Sequence, residues 1–230
     1  MINVDTVYQT VLALANKEQR GYITPQEFNL YADHAQMAIF EQYFYDLNQF
    51  RRQPGSTTKY IDMVDLIEDK LDIFKIANEG VSDGATIENA YRIINVTRGV
   101  GDKTKVVEEV KFEDYYKTRY SPLTKATNNR PVYWTITDSI NFDPNDGDFY
   151  YSYIRRPVPP RWTYTVVNEK PLYDPSIIGT NGHQHFELHE SEKNELVNKI
   201  LQLAGVAVKD YNLAQAAAQE EVKSIQQEKQ

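Results

Sequence analysis

The stretch "YYSYIRRPVPPRWTY", residues 150–164, decides how this chain is divided. Phe149, Tyr151 and Tyr153 alternate onto one face of a strand, with Tyr150, Ser152 and Ile154 on the other. Pro157, Pro159 and Pro160 then forbid further sheet pairing and favour extended polyproline geometry. The chain must leave its sheet here. Arg155, Arg156 and Arg161, with Trp162 and Tyr164, supply bidentate donors and stacking surfaces, the composition of an interface hot spot. The same residues equally suit an edge strand and a covered loop whose arginines pair with local acids.

Upstream of this arm the pattern is helical and then changes period. Val4, Val7, Val11, Leu12 and Leu14 predict a first helix over about 3–19, closed at Arg20-Gly21. Thr24 as N-cap, Pro25 in the first turn and Glu27 three residues on make a capping box. From there an apolar stripe runs from Phe28 through Ala35, Ile39, Phe40, Tyr43, Phe44 and Leu47 to Phe50, ended by Pro54-Gly55. The two helices form an αα-hairpin. Ile61, Val64, Ile67, Leu71 and Phe74 predict a third helix, although Ile67–Ile76 also reads as a strand. From about residue 85, "YRIINVTRG", "KVVEEVKF", "PVYWTI" and "FYYSYI" are short β-branched and aromatic runs between turn formers. "EDYYKTRYSPL" reads as one helical turn stopped by Pro122. Helical spacing returns at Leu196, Val197, Ile200, Leu201, Leu203 and Ala204, followed by an alanine-rich piece from Leu213 and a polar tail.

The expected class is α+β: an N-terminal helical hairpin and a C-terminal helix in one bundle, around a small central antiparallel β-region. The expected organisation is residues 1–80 helical, 81–186 a β-rich insertion with the arm, and 187–230 packing back on the first helices. Together they make one discontinuous domain.

Composition narrows the chemistry. The chain has no cysteine, which excludes disulfides, thiol catalysis and thiolate zinc sites. A net charge of −8 over 230 residues disfavours general DNA binding, which needs Lys and Arg on phosphates. The acidity sits at the ends: residues 1–80 hold 12 acids and 7 bases, 81–186 hold 13 of each, and 187–230 hold 8 and 5. No apolar run approaches the roughly 20 residues of a membrane span, and the N-terminus has no signal-peptide pattern, so a cytoplasmic product is expected. Seventeen tyrosines suit either protein interfaces or half-buried strands.

Motifs for catalysis are weak. "GHQHFELHE" gathers His183, His185 and His189, and Glu187 continues the face of the first two, so a metal site is geometrically possible; solvated loop histidines are the plainer reading. "DPNDGD" from Asp143 fails as a calcium loop because Gly147 is fifth where sixth is required and Ile154 stands at position twelve. It reads as a turn between two strands. "GVGDKTK", residues 99–105, lacks phosphate-loop spacing and reads as a hairpin turn. There is no GxSxG and no HExxH, and pairs such as Glu108-Glu109 or Asp62-Asp65 suit a solvated acidic face. No cofactor is implied.

Three blocks carry a resemblance: "MINVDTVYQTVLALANKEQRGYITPQEFNLYADHAQMAIFEQYFYDLNQF", the series "SPL…RPVYW…YIRRPVPPRW", and "FELHESEKNELVNKILQLAGV…LAQAAAQEE". Together they resemble structural proteins of tailed bacteriophages, in particular the head-to-tail connector (adaptor) ring proteins of the neck in crAss-like podoviruses. The resemblance covers nearly the whole chain. It implies a non-enzymatic virion subunit, made in the bacterial host cytoplasm, that forms a twelvefold ring beneath the portal and holds the next tail component. DNA would pass through the ring without specific binding, and no membrane is involved.

The residues suit that picture. A ring needs two complementary faces, which abundant tyrosine and an extended arm can supply. Acidic helices lining a channel would repel phosphates and let DNA slide. The expected interface residues are Arg155, Arg156, Pro157, Pro159, Arg161, Trp162 and Tyr164 in the arm, with Leu196, Ile200, Leu203, Val208 and Leu213 in the C-terminal helices docking on the portal. The C-terminal helix could instead complete the subunit's own bundle. Two other classes fit the residues less fully: a glycan- or receptor-binding module built on the Tyr- and Trp-rich strands, and a metal-dependent hydrolase built on the histidines.

Overall fold

The computed structural model describes residues 1–17, 23–52, 58–100, 103–177, 179 and 182–207. The expected helix stop at Arg20-Gly21, the Pro54-Gly55 break and everything after Ala207, including Val208 and Leu213, lie outside these residues. Among the described residues the chain is mixed α+β, with five α-helices, one short 3-10 turn and ten strands. It divides into two compact units, one of residues 1–73 with the chain from 157 onward, the other of residues 74–156.

The first unit begins with α1 (Val4–Lys17) and α2 (Pro25–Arg52). The start of α2 is set by the capping box: the Glu27 carboxylate accepts from the Thr24 N–H at 2.9 Å and from its hydroxyl at 2.7 Å, while the Glu27 N–H donates to Thr24 Oγ1 at 3.3 Å. These bonds hold the Glu27 carboxyl below its ordinary pKa. The apolar stripe of α2 is buried as expected, from Phe28, Ala32, Ala35, Ile39 and Phe40 to Tyr43, Phe44 and Leu47. α3 (Thr58–Asp72) continues as a helix through Leu71, so the strand begins only after it. α5 (Lys193–Ala207) packs on α1 and α2, burying Leu196, Val197, Ile200, Leu201 and Ala204. Lys70 of α3 reaches the buried Glu192, in the 3-10 turn before α5, at 2.5 Å.

The second unit holds two four-stranded sheets. One has the order β1-β8-β3-β4, all antiparallel, from β1 (Lys75–Val81), β3 (Ala90–Val100), β4 (Lys103–Val106) and β8 (Asp148–Arg155). The other runs β2-β7-β6-β5, from β2 (Ala85–Thr86), β5 (Glu108–Glu109), β6 (Val132–Ile136) and β7 (Ser139–Asp143), with β5 parallel to β6. Their side chains share one core of Val96, Val107, Tyr133, Ile140, Phe142, Phe149, Tyr151 and Tyr153. Phe142 of β7 stacks on Phe149 of β8 with centroids 3.9 Å apart, tying the two sheets together.

Three expectations are corrected here. The β-region is not small, because two sheets need their own core. The "EDYYKTRYSPL" segment is not a single turn but α4 (Phe112–Tyr120), nine residues long, extended because Tyr115 finds a buried site against Trp134 at 3.8 Å. The "DPNDGD" turn does join two strands, β7 and β8, which belong to different sheets. The insertion runs from 74 to 156, where 81 to 186 was expected, because residues 157–186 bond to the helices of the first unit. Within that stretch, β9 (Tyr164–Val167) and β10 (Lys170–Tyr173) make a separate two-stranded hairpin.

Candidate interaction surfaces

Prolines remove N–H groups, so the segment after β8 has few donors to place, and those of Val158, Arg161 and Trp162 all find acceptors. Val158 donates to the Glu187 carboxylate at 2.8 Å, Arg161 to the Gln184 carbonyl at 2.9 Å, and Trp162 to the Asn29 side-chain oxygen at 2.8 Å. Gln36 closes a ring: its amide donates to the Val158 carbonyl at 2.8 Å and its oxygen accepts from the Glu187 N–H at 3.1 Å. Asn29 likewise donates back to the Trp162 carbonyl at 3.1 Å. The arm is thus held by side chains of α2 and by residues 184–187.

Trp162 is its anchor. It is 2% exposed, its indole N–H donates to Asp5 of α1 at 2.9 Å, and its ring lies 4.4 Å from Tyr8. Tyr164 and Tyr173 stack on it at 5.6 and 5.9 Å. Trp162, expected at an interface with another subunit, therefore sits in the core of its own unit, where its area is worth most. Pro157 is buried with it, Arg161 and Tyr164 are half-buried, and Val158 and Pro159 face outward. The two adjacent arginines differ as well. The Arg155 guanidinium lies 5.8 Å over the Phe74 ring and is half-buried, whereas Arg156 is exposed.

The C-terminal candidates divide in the same way. Leu196 and Ile200 are fully buried against the other helices, which makes them core residues of the unit and not partner contacts. Leu203 is 37% exposed. Val208 and Leu213 lie outside the described residues.

The structure brings two of the three histidines together. His183 and His185 meet edge to face with their Nε2 atoms 3.3 Å apart, and the Tyr173 hydroxyl is 3.2 Å from His183 Nε2. His185 Nδ1 accepts from the Val4 N–H at the start of α1 at 3.3 Å. That bond needs a neutral ring, and burial, then His183, then the N-terminal ammonium, lower the His185 pKa. Glu187 is turned away to the Val158 N–H, and His189 caps the turn before α5 through Ser191. Among the described residues no group of three or more His, Asp or Glu side chains is placed to hold a metal ion.

In the second unit, a cleft of about 660 Å³ is bordered by Tyr91, Arg92, Glu109, Thr137, Asp138 and Arg156. It mixes cations and carboxylates, a lining suited to a polar, uncharged guest. In the same unit, Arg98 is buried and holds the Asp146 carboxylate at 2.9 Å and its carbonyl, fixing the crossover between β7 and β8. Gly147, at φ 113°, has no room for a side chain, since a Cβ would lie 2.8 Å from Arg98 Nε.

Sequence reading missed Gln36, Asn29, Asp5 and Glu187 as the residues that seat the arm. Gln36 carried a signal: it stands four residues from Ala32 and Phe40, a polar side chain inside an apolar stripe, and such a residue must have a buried partner. No protein-family model matches the chain, and no curated protein matches it in sequence. No helix among the described residues is long and apolar enough to cross a membrane.

Proposed function

We propose that this chain is a non-enzymatic virion subunit of a tailed phage that closes with copies of itself into the head-to-tail connector ring of the neck. Its partners are the portal on one side and the next tail component on the other, with DNA passing through. The observation that carries the reading is how the chemically able side chains are used. Asp5 serves Trp162, Glu187 serves Val158, and His185 serves the first turn of α1, so each holds backbone or core in place. A protein built this way spends its polar groups on a rigid shape, which a ring subunit requires.

Charge supports the DNA-passage part. Residues 74–156 hold 12 acids and 12 bases, so the whole net charge of −8 falls on the rest of the chain. If that acidic portion borders the channel, phosphates meet repulsion and slide. The outward Val158 and Pro159, held rigid by buried neighbours, supply part of the surface for a neighbour, and Leu203 with the C-terminal residues beyond it supplies the part for the portal.

The test is the state of the purified protein by native mass spectrometry and negative-stain imaging over a range of concentrations. Discrete closed oligomers are expected. A monomer at every concentration would remove self-assembly from the reading.

A second reading, a glycan-binding module, is favoured by the mixed-charge cleft with Tyr91 at its border. A glycan array separates the two, since a ring subunit gives no saturable signal.

A further inference from the structure

α4 is anchored on one side and bare on the next. Tyr115 is 5% exposed, stacks on Trp134 and donates to the Asp143 carboxylate at 3.1 Å. Phe112, Tyr116 and Tyr120 follow one another at four-residue spacing along the neighbouring face, and they are 42%, 52% and 78% exposed. Leu123, in the turn after the helix, is 91% exposed. Three aromatics in one exposed stripe, ending beside an exposed leucine, are the residue types that dominate protein interfaces. Lys111, Lys117, Arg119 and Lys125 surround them against Glu113 and Asp114, and Lys117 already holds Asp114 at 2.7 Å.

α3 offers the complement. Leu66 is 55% exposed and Ile73, in the turn just past the helix, 37%, and exposed Asp65 and Asp69 flank this apolar line. An aromatic stripe edged with bases fits an aliphatic stripe edged with acids, and the tyrosine hydroxyls can donate to those carboxylates.

We propose that the α4 stripe of one copy docks on the acidic α3 face of a second copy. This rests on the ring-subunit reading and names its contact. The two surfaces differ, so the contact is heterologous: a bound pair leaves one α4 stripe and one α3 face unused, which further copies fill until a ring closes.

The chain has no cysteine, which makes the test clean. Tyr120→Cys and Leu66→Cys are made as separate single variants; both sites are exposed, so folding is retained. Under mild oxidation, mixing the two is expected to give a disulfide-linked dimer at least roughly tenfold above either variant alone, because a specific contact holds the pair together. Asp65→Lys with Asp69→Lys is expected to weaken self-association of the cysteine-free protein roughly tenfold by sedimentation, through like charges in the contact. Three results overturn the contact. Equal cross-linking in either variant alone means a symmetric contact, and self-association that persists unchanged with no mixed cross-link retires the α4–α3 pairing while leaving the ring reading in place. Wild-type protein that stays monomeric throughout, with no cross-link, retires both.

Discussion

The segment 157–164 and helix α4 both combine aromatic and basic residues and have opposite fates. Trp162 is 2% exposed and Tyr120 78%. What separates them is the set of distant partners: Trp162 has Asp5 for its indole N–H and Asn29 for its backbone, while on the outer face of α4 Phe112 and Tyr116 meet each other edge to face and stay 42% and 52% exposed. Composition marks residues able to form an interface. Polar partners far away in the chain decide whether that interface is inside the subunit or outside it.

Variants can break or sharpen this contrast. The largest effect is expected from Trp162→Ala, which should cost about 3–5 kcal/mol by leaving a cavity and stranding the Asp5 carboxylate. Thermal or denaturant unfolding checks it. Next comes Gln36→Leu, which keeps the volume and removes the bonds to the Val158 carbonyl and from the Glu187 N–H. A loss of about 2–3 kcal/mol is expected from the two orphaned backbone groups. A loss below about 0.5 kcal/mol would mean that water replaces the amide and that the clamp is not structural.

A smaller effect should follow pH. Burial, then His183, then the N-terminal ammonium, hold the His185 pKa below its ordinary value in the folded protein. A lowered histidine pKa gives stability that is complete above the unfolded value, about 6.5, and is lost as pH falls below it. Unfolding midpoints measured from pH 8 to pH 5 should therefore fall, and His185→Gln should flatten that slope. The smallest effect is expected from Tyr116→Ala with Tyr120→Ala, which should move the unfolding free energy by no more than about 0.5 kcal/mol. The same double variant should still impair self-association, the reverse of the pattern at Trp162.

Local signals were legible in the sequence, and long-range ones were not. The Thr24–Glu27 box and the buried stripe of α2 follow from spacing within a few residues. The alternation of Phe149, Tyr151 and Tyr153 also holds, since all three are buried. The unit boundary was missed because residues 164–173 do form strands, yet their chain is tied to helices more than a hundred residues earlier, through Asn29 and Gln36. α4 was shortened in the reading because Pro122 marks its end but nothing local marks Tyr115's site on Trp134. Of the interface candidates, exposure now favours Arg156, Pro159 and Leu203 over Trp162, Leu196 and Ile200. Only the fold could sort one group from the other.

The central proposal is a place in a phage particle, and gold-labelled antibody to the recombinant protein, applied to opened and intact particles of the proposed source phage, tests that place most directly. The ring reading expects label at a single vertex, at the base of the head. Label spread over the capsid or fibres, or protein found only in infected cells with none on particles, would contradict it.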